Sequence, residues 1–144
     1  MMPQRVKGSG ASGVLPMSNL LALDQSSHIT GYAIFKNNKP IVISHFSAKG
    51  NDLGERLEYI RNKVISLIEE YEIDEVAFED IQLQSINGNK ELGVKTFKML
   101  AEVFGVLHEL MEELDIKYTI VPPITWKASF KFAGKGRSAE KKAA

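Results

Sequence analysis

The chain contains no cysteine among its 144 residues. That absence excludes a disulfide framework, thiolate zinc sites and cysteine nucleophiles, and it suits a reducing, cytoplasmic setting. Long apolar runs are missing too. None approaches the ~20 residues that a membrane-crossing helix needs, so no membrane partner is expected. The N-terminus has no apolar core of the kind that marks a secretory signal. Formal net charge is zero, which argues against a general nucleic-acid coat protein. At this length the chain forms one domain with a real core, not two. A hydrophobic share of 44% with 25% charged residues is that of an ordinary globular protein.

The first sixteen residues stand apart. Met1-Met2-Pro3-Gln4-Arg5-Val6-Lys7 leads into Gly8-Ser9-Gly10-Ala11-Ser12-Gly13, a flexible linker composition, and Met17 offers a second start. Residues 1–16 are therefore read as an expression tag and linker, and 17–144 as the folded domain. Without the tag the balance is 16 basic to 18 acidic groups. The charges are unevenly spread. Glu69 to Asp80 holds seven acids and no Lys or Arg, whereas Lys127 to Lys142 holds six basic residues and one acid, Glu140. Two solvated faces explain this pattern as well as an acidic metal centre beside a basic phosphate-binding edge does.

Apolar and alternating segments predict five strands. Leu20–Asp24 is the first, Thr30–Lys36 the second and Ile41–Phe46 the third, with turn residues Lys36-Asn37-Asn38-Lys39-Pro40 between the last two. These make an antiparallel meander. A helix follows, capped by Asn51 or Asp52, with Glu55 three residues after Asp52 in a capping-box spacing. Its apolar positions from Leu53 to Tyr71 recur at the helical period. Ile73–Glu79 is the fourth strand. A helix before it allows it to run parallel to the first, and right-handed crossover places it beside that strand. After a polar loop over 82–90, a second helix spans about Glu91 to Leu114, and Ile116–Val121 is the fifth strand. Apolar positions wrap more than one face of the second helix, which fits either burial or a subunit interface. The whole is an α/β fold: a mixed sheet of five strands, a three-strand antiparallel meander plus two parallel strands, flanked by helices.

Asp24 ends the first strand and a turn of small polar residues follows it. Open sheets place ligands at the carboxyl ends of their strands. A carboxylate there is costly unless a metal, a proton or a cation compensates it. If the fourth strand lies beside the first, Glu79 leaves the same edge ~4.8 Å away. Two acids so close repel unless one is protonated or a divalent cation sits between them. Oxygen donors without His or Cys favour magnesium or manganese, ions suited to phosphoryl chemistry. The plainer alternative pairs Glu79 with a Lys or Arg and makes Asp24 a turn cap. Asp80 alternates to the other face and is the weaker acid. His28 lies in the loop after Asp24, where a solvated role outweighs a phosphate contact. His45 and His108 are assigned to a strand surface and a helix surface. Trp126 reads as a core anchor, Asn87-Gly88-Asn89 as a turn, and Gly134-Lys135-Gly136-Arg137 as a flexible basic loop.

Taken in order, these motifs resemble the RuvC family of Holliday-junction resolvases, which have an RNase H-like fold. The similarity rests on Leu20 to Phe35 (LLALDQSSHITGYAIF), with its Asp24 and Thr30-Gly31-Tyr32, on Asp74 to Asp80 (DEVAFED), on the helix up to Gly105, on the run to Trp126-Lys127, and on Ser138 to Lys142 (SAEKK). It covers about residues 18–144, and its loop-expanded form suggests a bacteriophage or Gram-positive version. It implies a dimeric endonuclease, dependent on Mg2+ or Mn2+, that resolves branched DNA such as four-way junctions. Asp24 and Glu79 become the catalytic metal ligands. Lys127 and Lys141 fall where the family has functional lysines and become phosphate contacts, with Lys135 and Arg137 beside them. The second helix becomes a homodimer interface through Phe97, Leu100, Ala101 and Phe104.

The chain departs from the family pattern in two places. Gln82 and Leu83 stand where the family carries an aromatic residue. The family also completes its metal site with acids on a last helix, of which this chain holds only the start. The 17–144 domain is thus expected to lack that C-terminal helix, to bind magnesium weakly and to cleave little. Other readings remain open: an RNase H-like nuclease acting on RNA or replication intermediates, one lobe of an actin-like ATPase, or a catalytically silent DNA-binding module.

Overall fold

The computed structural model describes residues 4–5, 18–82 and 88–122. Strand β1 (Gln4–Arg5) is a two-residue piece; β2 (Asn19–Asp24), β3 (Ile29–Lys36), β4 (Lys39–Ser47), β5 (Glu75–Glu79) and β6 (Lys117–Val121) form the body of the sheet, with helices α1 (Leu53–Glu70) and α2 (Lys90–Leu114) between them. The order across the sheet is β1-β6-β5-β2-β3-β4. The β2–β3 and β3–β4 pairs are antiparallel, and β5 runs parallel to both β2 and β6. All five predicted strands form. The added β1 pairs with the outer edge of β6 and comes from the segment read as a tag.

Local chemistry explains the connections. Asn37 and Asn38 adopt positive φ angles of 54° and 66°. This two-residue turn matches strand twist, and Asn tolerates it better than most residues. Asp52 caps α1 by accepting from Glu55 N at 2.9 Å, while Glu55 Oε1 accepts from Asn51 N at 2.8 Å. Gly50 makes the close approach possible, since a Cβ there would lie 2.6 Å from Glu55 Cβ. Asn89 caps α2 by accepting from Leu92 N at 3.0 Å, which starts the helix one residue before the expected Glu91. Asn19 ties the start of β2 to the end of α1: its Nδ2 donates to the carbonyls of Tyr71 and Glu72 at 3.1 and 3.0 Å.

Both helices cover one face of the sheet. Leu21, Leu23, Ile34, Phe46, Val76, Phe78 and Tyr118 share a single core with Ile60, Val64 and Leu67 of α1 and with Val103, Leu107, Leu110 and Met111 of α2. Arg61 on α1 bridges Glu113 on α2 at 2.6 Å. Strand alternation puts the remaining side chains on the second face. By register these include Ala22 and Asp24 of β2, Gly31 and Ala33 of β3, Ile43 and His45 of β4, and Ala77 and Glu79 of β5. Ile29 and Ile43 on this face are 56% and 75% exposed. Among the described residues, no helix is long and apolar enough to cross a membrane.

Candidate active site

Asp24 and Glu79 are the last residues of two neighbouring parallel strands. The register pairs Leu23 with Phe78, and the two acids lie one step further along. They therefore leave the same face of the sheet at its carboxyl edge, about one strand spacing, ~4.8 Å, apart. Asp24 is exposed; Glu79 is half-buried, and its Oε2 is buried.

A side-chain amide continues the sheet past its last backbone pair. Gln25 is buried, and it bonds to both backbone groups of Glu79. Its Nε2 donates to Glu79 O at 2.6 Å, and its Oε1 accepts from Glu79 N at 3.1 Å. The loop that follows is pinned from three sides. Thr30 Oγ1, on a side chain buried at 1% exposure, donates to Ser26 O at 3.2 Å and accepts from Ser26 N at 3.3 Å. Arg56 Nε of α1 donates to Ser27 O at 3.1 Å. Ala48 N donates to His28 O at 2.6 Å. Buried polar groups this well satisfied fix a backbone rather than merely fill space. The Thr30-Gly31-Tyr32 motif thus has a local reason: Thr30 shapes the turn, Gly31 pairs with Asp24, and Tyr32 faces the core side, where its ring lies 6.2 Å from Phe46.

Asp80 continues the pairing with β6. Its N donates to Val121 O at 2.8 Å, and its Oδ1 accepts from Ile81 N at 2.8 Å. His28 is exposed, as expected of a loop histidine. His108 departs from the expected helix surface: its Nε2 lies 2.9 Å from Tyr118 Oη, which donates to Glu112 Oε2 at 3.0 Å. Phe97, Leu100, Ala101 and Phe104 recur along α2 and are half-buried. Phe104 also packs edge-on against Phe78 at 5.6 Å, so part of its surface serves this chain's own core. Lys127, Lys135, Arg137 and Lys141 lie outside the described residues, as do Leu83, Trp126 and Ser138.

The donor set can be tested against a divalent cation. Asp24 and Glu79 present hard anionic oxygens side by side, which suits magnesium or manganese in kind. Among the described residues no group of three or more His, Cys, Asp or Glu is placed to hold a metal. The pair fits as part of a ligand set.

Residues with no sequence signal for their role include Gln25, which reads as one more turn residue, and Thr30, whose hydroxyl partner lies four residues back. A glutamine immediately after a strand-ending acid is the available cue for the first.

No family model matches the sequence, and no curated protein matches it. Solved structures do. Thermus thermophilus RuvC in complex with a Holliday junction substrate superposes with a TM-score of 0.62 at 12% identity, over 78% of this chain and 69% of that one. The fold is that of RuvC. A second Thermus thermophilus RuvC structure gives a TM-score of 0.55 at 12% identity, covering 73% of this chain and 64% of that RuvC chain. At this identity RuvC and the present chain share an RNase H-like architecture.

Proposed function

We propose that the protein is a metal-dependent DNA nuclease that acts on branched DNA. The observation that carries this reading is the placement of Asp24 and Glu79 on adjacent strand ends of a RuvC-like sheet. The Thermus RuvC of the same fold was solved on a Holliday junction. Hydrolysis of a phosphodiester adds a water oxygen to phosphorus and expels a sugar oxygen, which takes up a proton. A divalent ion, when bound, acidifies water and offsets charge on the phosphate. Asp24 and Glu79 are the groups that hold it. The Gln25 bridge keeps the two strand ends from splaying, and so keeps the carboxylates together. Lys127, Lys135, Arg137 and Lys141 contact phosphates in this reading. Two copies joined along Phe97, Leu100, Ala101 and Phe104 present two equivalent sites to the two equivalent strands of a four-way junction.

Among the described residues two carboxylates come together, and a pair binds magnesium weakly, so slow cleavage is expected and binding is the primary readout. Anisotropy of labelled DNA is expected to show a four-way junction bound at least about tenfold more tightly than linear duplex, a difference of ~1.4 kcal/mol. Cleavage with Mg2+ or Mn2+ is expected to disappear in Asp24→Asn. Equal binding of junction and duplex defeats the structure selectivity. Preferential cutting of an RNA–DNA hybrid points to the RNA-directed reading, and failure to bind any nucleic acid overturns the proposal.

A further inference from the structure

Four residues on four successive strands form a row across the second face of the sheet. Glu79 ends β5, Asp24 ends β2, Gly31 is paired with Asp24 on β3, and His45 is paired with Gly31 on β4. No register shift interrupts β3–β4 until beyond Ile34, so the alternation holds and His45 lies on the same face as the acids. His45 stands two strand spacings from Asp24, roughly 10 Å. Gly31 lies between them with no side chain, and leaves a trough with the carboxylates on one wall and an imidazole on the other. Along β4, His45 sits between Ile43 and Ser47 on this face, all three of them exposed.

The glycine is not forced by the backbone. A Cβ at position 31 would meet Asp24 Cβ at 3.8 Å, an ordinary van der Waals contact, and its φ lies outside the left-handed region. A Cβ there makes no close contact. What it removes is the open floor between Asp24 and His45.

We infer that the trough over Gly31 carries one strand of the nucleic acid, and that His45 donates a hydrogen bond to a phosphate neighbouring the one held at Asp24 and Glu79. The inference rests on the nuclease reading and adds a binding residue that lies outside the carboxylate pair. An imidazole N–H suits a phosphate oxygen, and the exposed Ile29 and Ile43 beside it offer apolar contact to sugars. A histidine in this role sets the direction of the strand across the sheet: it runs from the carboxyl edge of β2 toward the outer strand β4, not along β5 and β6.

The test measures binding of a labelled four-way junction by the 144-residue protein in EDTA, which takes metal at the carboxylates out of the comparison. His45→Ala is expected to weaken binding about tenfold, the loss of one hydrogen bond to a charged group. His45→Gln, which keeps a donor, is expected to recover part of it. Gly31→Val is expected to weaken binding by at least as much while the unfolding midpoint stays near that of the parent, since a β-branched residue suits a strand. His45→Lys is expected to tighten binding and to steepen the slope of log K against log salt by about one, the signature of an added phosphate contact that a purely structural role leaves unmoved. Junction binding unchanged in His45→Ala, Gly31→Val and His45→Lys overturns the inference and leaves the nuclease reading standing. Absence of junction binding by the unsubstituted protein overturns the nuclease reading, and this inference with it.

Discussion

The side chain of Gln25 forms both a donor and an acceptor bond with the backbone of Glu79, at 2.6 and 3.1 Å, and so extends the β2–β5 ladder beyond its last backbone pair. The bridge joins the residue after Asp24 to the backbone of Glu79 itself. Gln25→Ala leaves a backbone N–H and a C=O of Glu79 without this partner in a half-buried place. Each such loss costs ~1–3 kcal/mol, so a total of about 2–6 kcal/mol is expected from urea unfolding. Gln25→Glu is expected to be worse than its shape suggests. It keeps an acceptor for Glu79 N but turns a carboxylate oxygen toward the Glu79 carbonyl, where the amide had a donor. If Gln25→Glu matched the parent in stability, the amide would not be the element that joins the strands.

The carboxylate pair makes its own prediction in the absence of any substrate. A ligand that binds only the folded state stabilises it by RT ln(1 + [L]/Kd), about 2.7 kcal/mol at a hundredfold excess over Kd. Magnesium or manganese is therefore expected to raise the thermal midpoint of the parent protein in a concentration-dependent way. The shift should vanish in Asp24→Asn and in Glu79→Gln, and should persist in His45→Ala. Calcium, also a hard cation but larger and tolerant of looser geometry, should give a shift of the same sign. An equal magnesium shift in parent and Asp24→Asn would place the ion elsewhere.

The sequence carried the sheet order well, because each step had a physical marker. The apolar run Leu20–Leu23 marks a strand buried on both sides, the Asn37-Asn38 pair marks a tight hairpin, and the helix over Leu53–Glu70 forces β5 to return parallel to β2. With that order, Asp24 and Glu79 become neighbours without reference to any side-chain geometry. The contacts that hold the site were not legible in the same way. Gln25 and Thr30 act through amide and hydroxyl groups whose partners depend on where a turn closes, and a polar turn residue looks the same whether it is solvated or buried. His108 was read as a helix-surface residue because helical spacing shows which side it lies on but not that Tyr118 of β6 reaches it. The row from Glu79 to His45 needs the register of three strand pairs at once, and one-residue slips would move His45 to the opposite face.

Thr30 separates the shaping of the turn from the chemistry of the acids. Its hydroxyl both donates to and accepts from the backbone of Ser26 and is nearly inaccessible to solvent. Thr30→Val keeps the volume and the β-branched shape but removes both bonds. A loss of about 1–3 kcal/mol is expected. Hydrogen exchange of the Ser26 amide should rise more than that of the β2 amides. Thr30→Ser keeps the hydroxyl and is expected to lose less. Should Thr30→Val match the parent in stability and in Ser26 exchange, the two hydrogen bonds of the hydroxyl would not be what holds the turn.

On the helix-covered face, Tyr118 links α2 to β6 through two kinds of interaction that a pair of substitutions can tell apart. Its hydroxyl donates to Glu112 Oε2 and lies 2.9 Å from His108 Nε2. With its hydrogen committed to Glu112, the oxygen accepts from His108, which puts the imidazole proton on Nε2. The ring stacks on Phe78 at 6.0 Å and meets the His108 ring edge-on at 5.3 Å. Tyr118→Phe keeps the rings and removes the hydroxyl. Because His108 and Glu112 both reach solvent, water replaces much of what is lost, and the expected cost is about 1 kcal/mol. Tyr118→Ala removes the ring from a fully packed position and is expected to cost about 3–5 kcal/mol. The His108 ring signals in NMR should report the same division, with a changed tautomer ratio in Tyr118→Phe but intact packing around Phe78. A Tyr118→Phe cost as large as that of Tyr118→Ala would mean that the polar link, rather than the stacked rings, holds α2 to the sheet next to the strand that ends in Glu79.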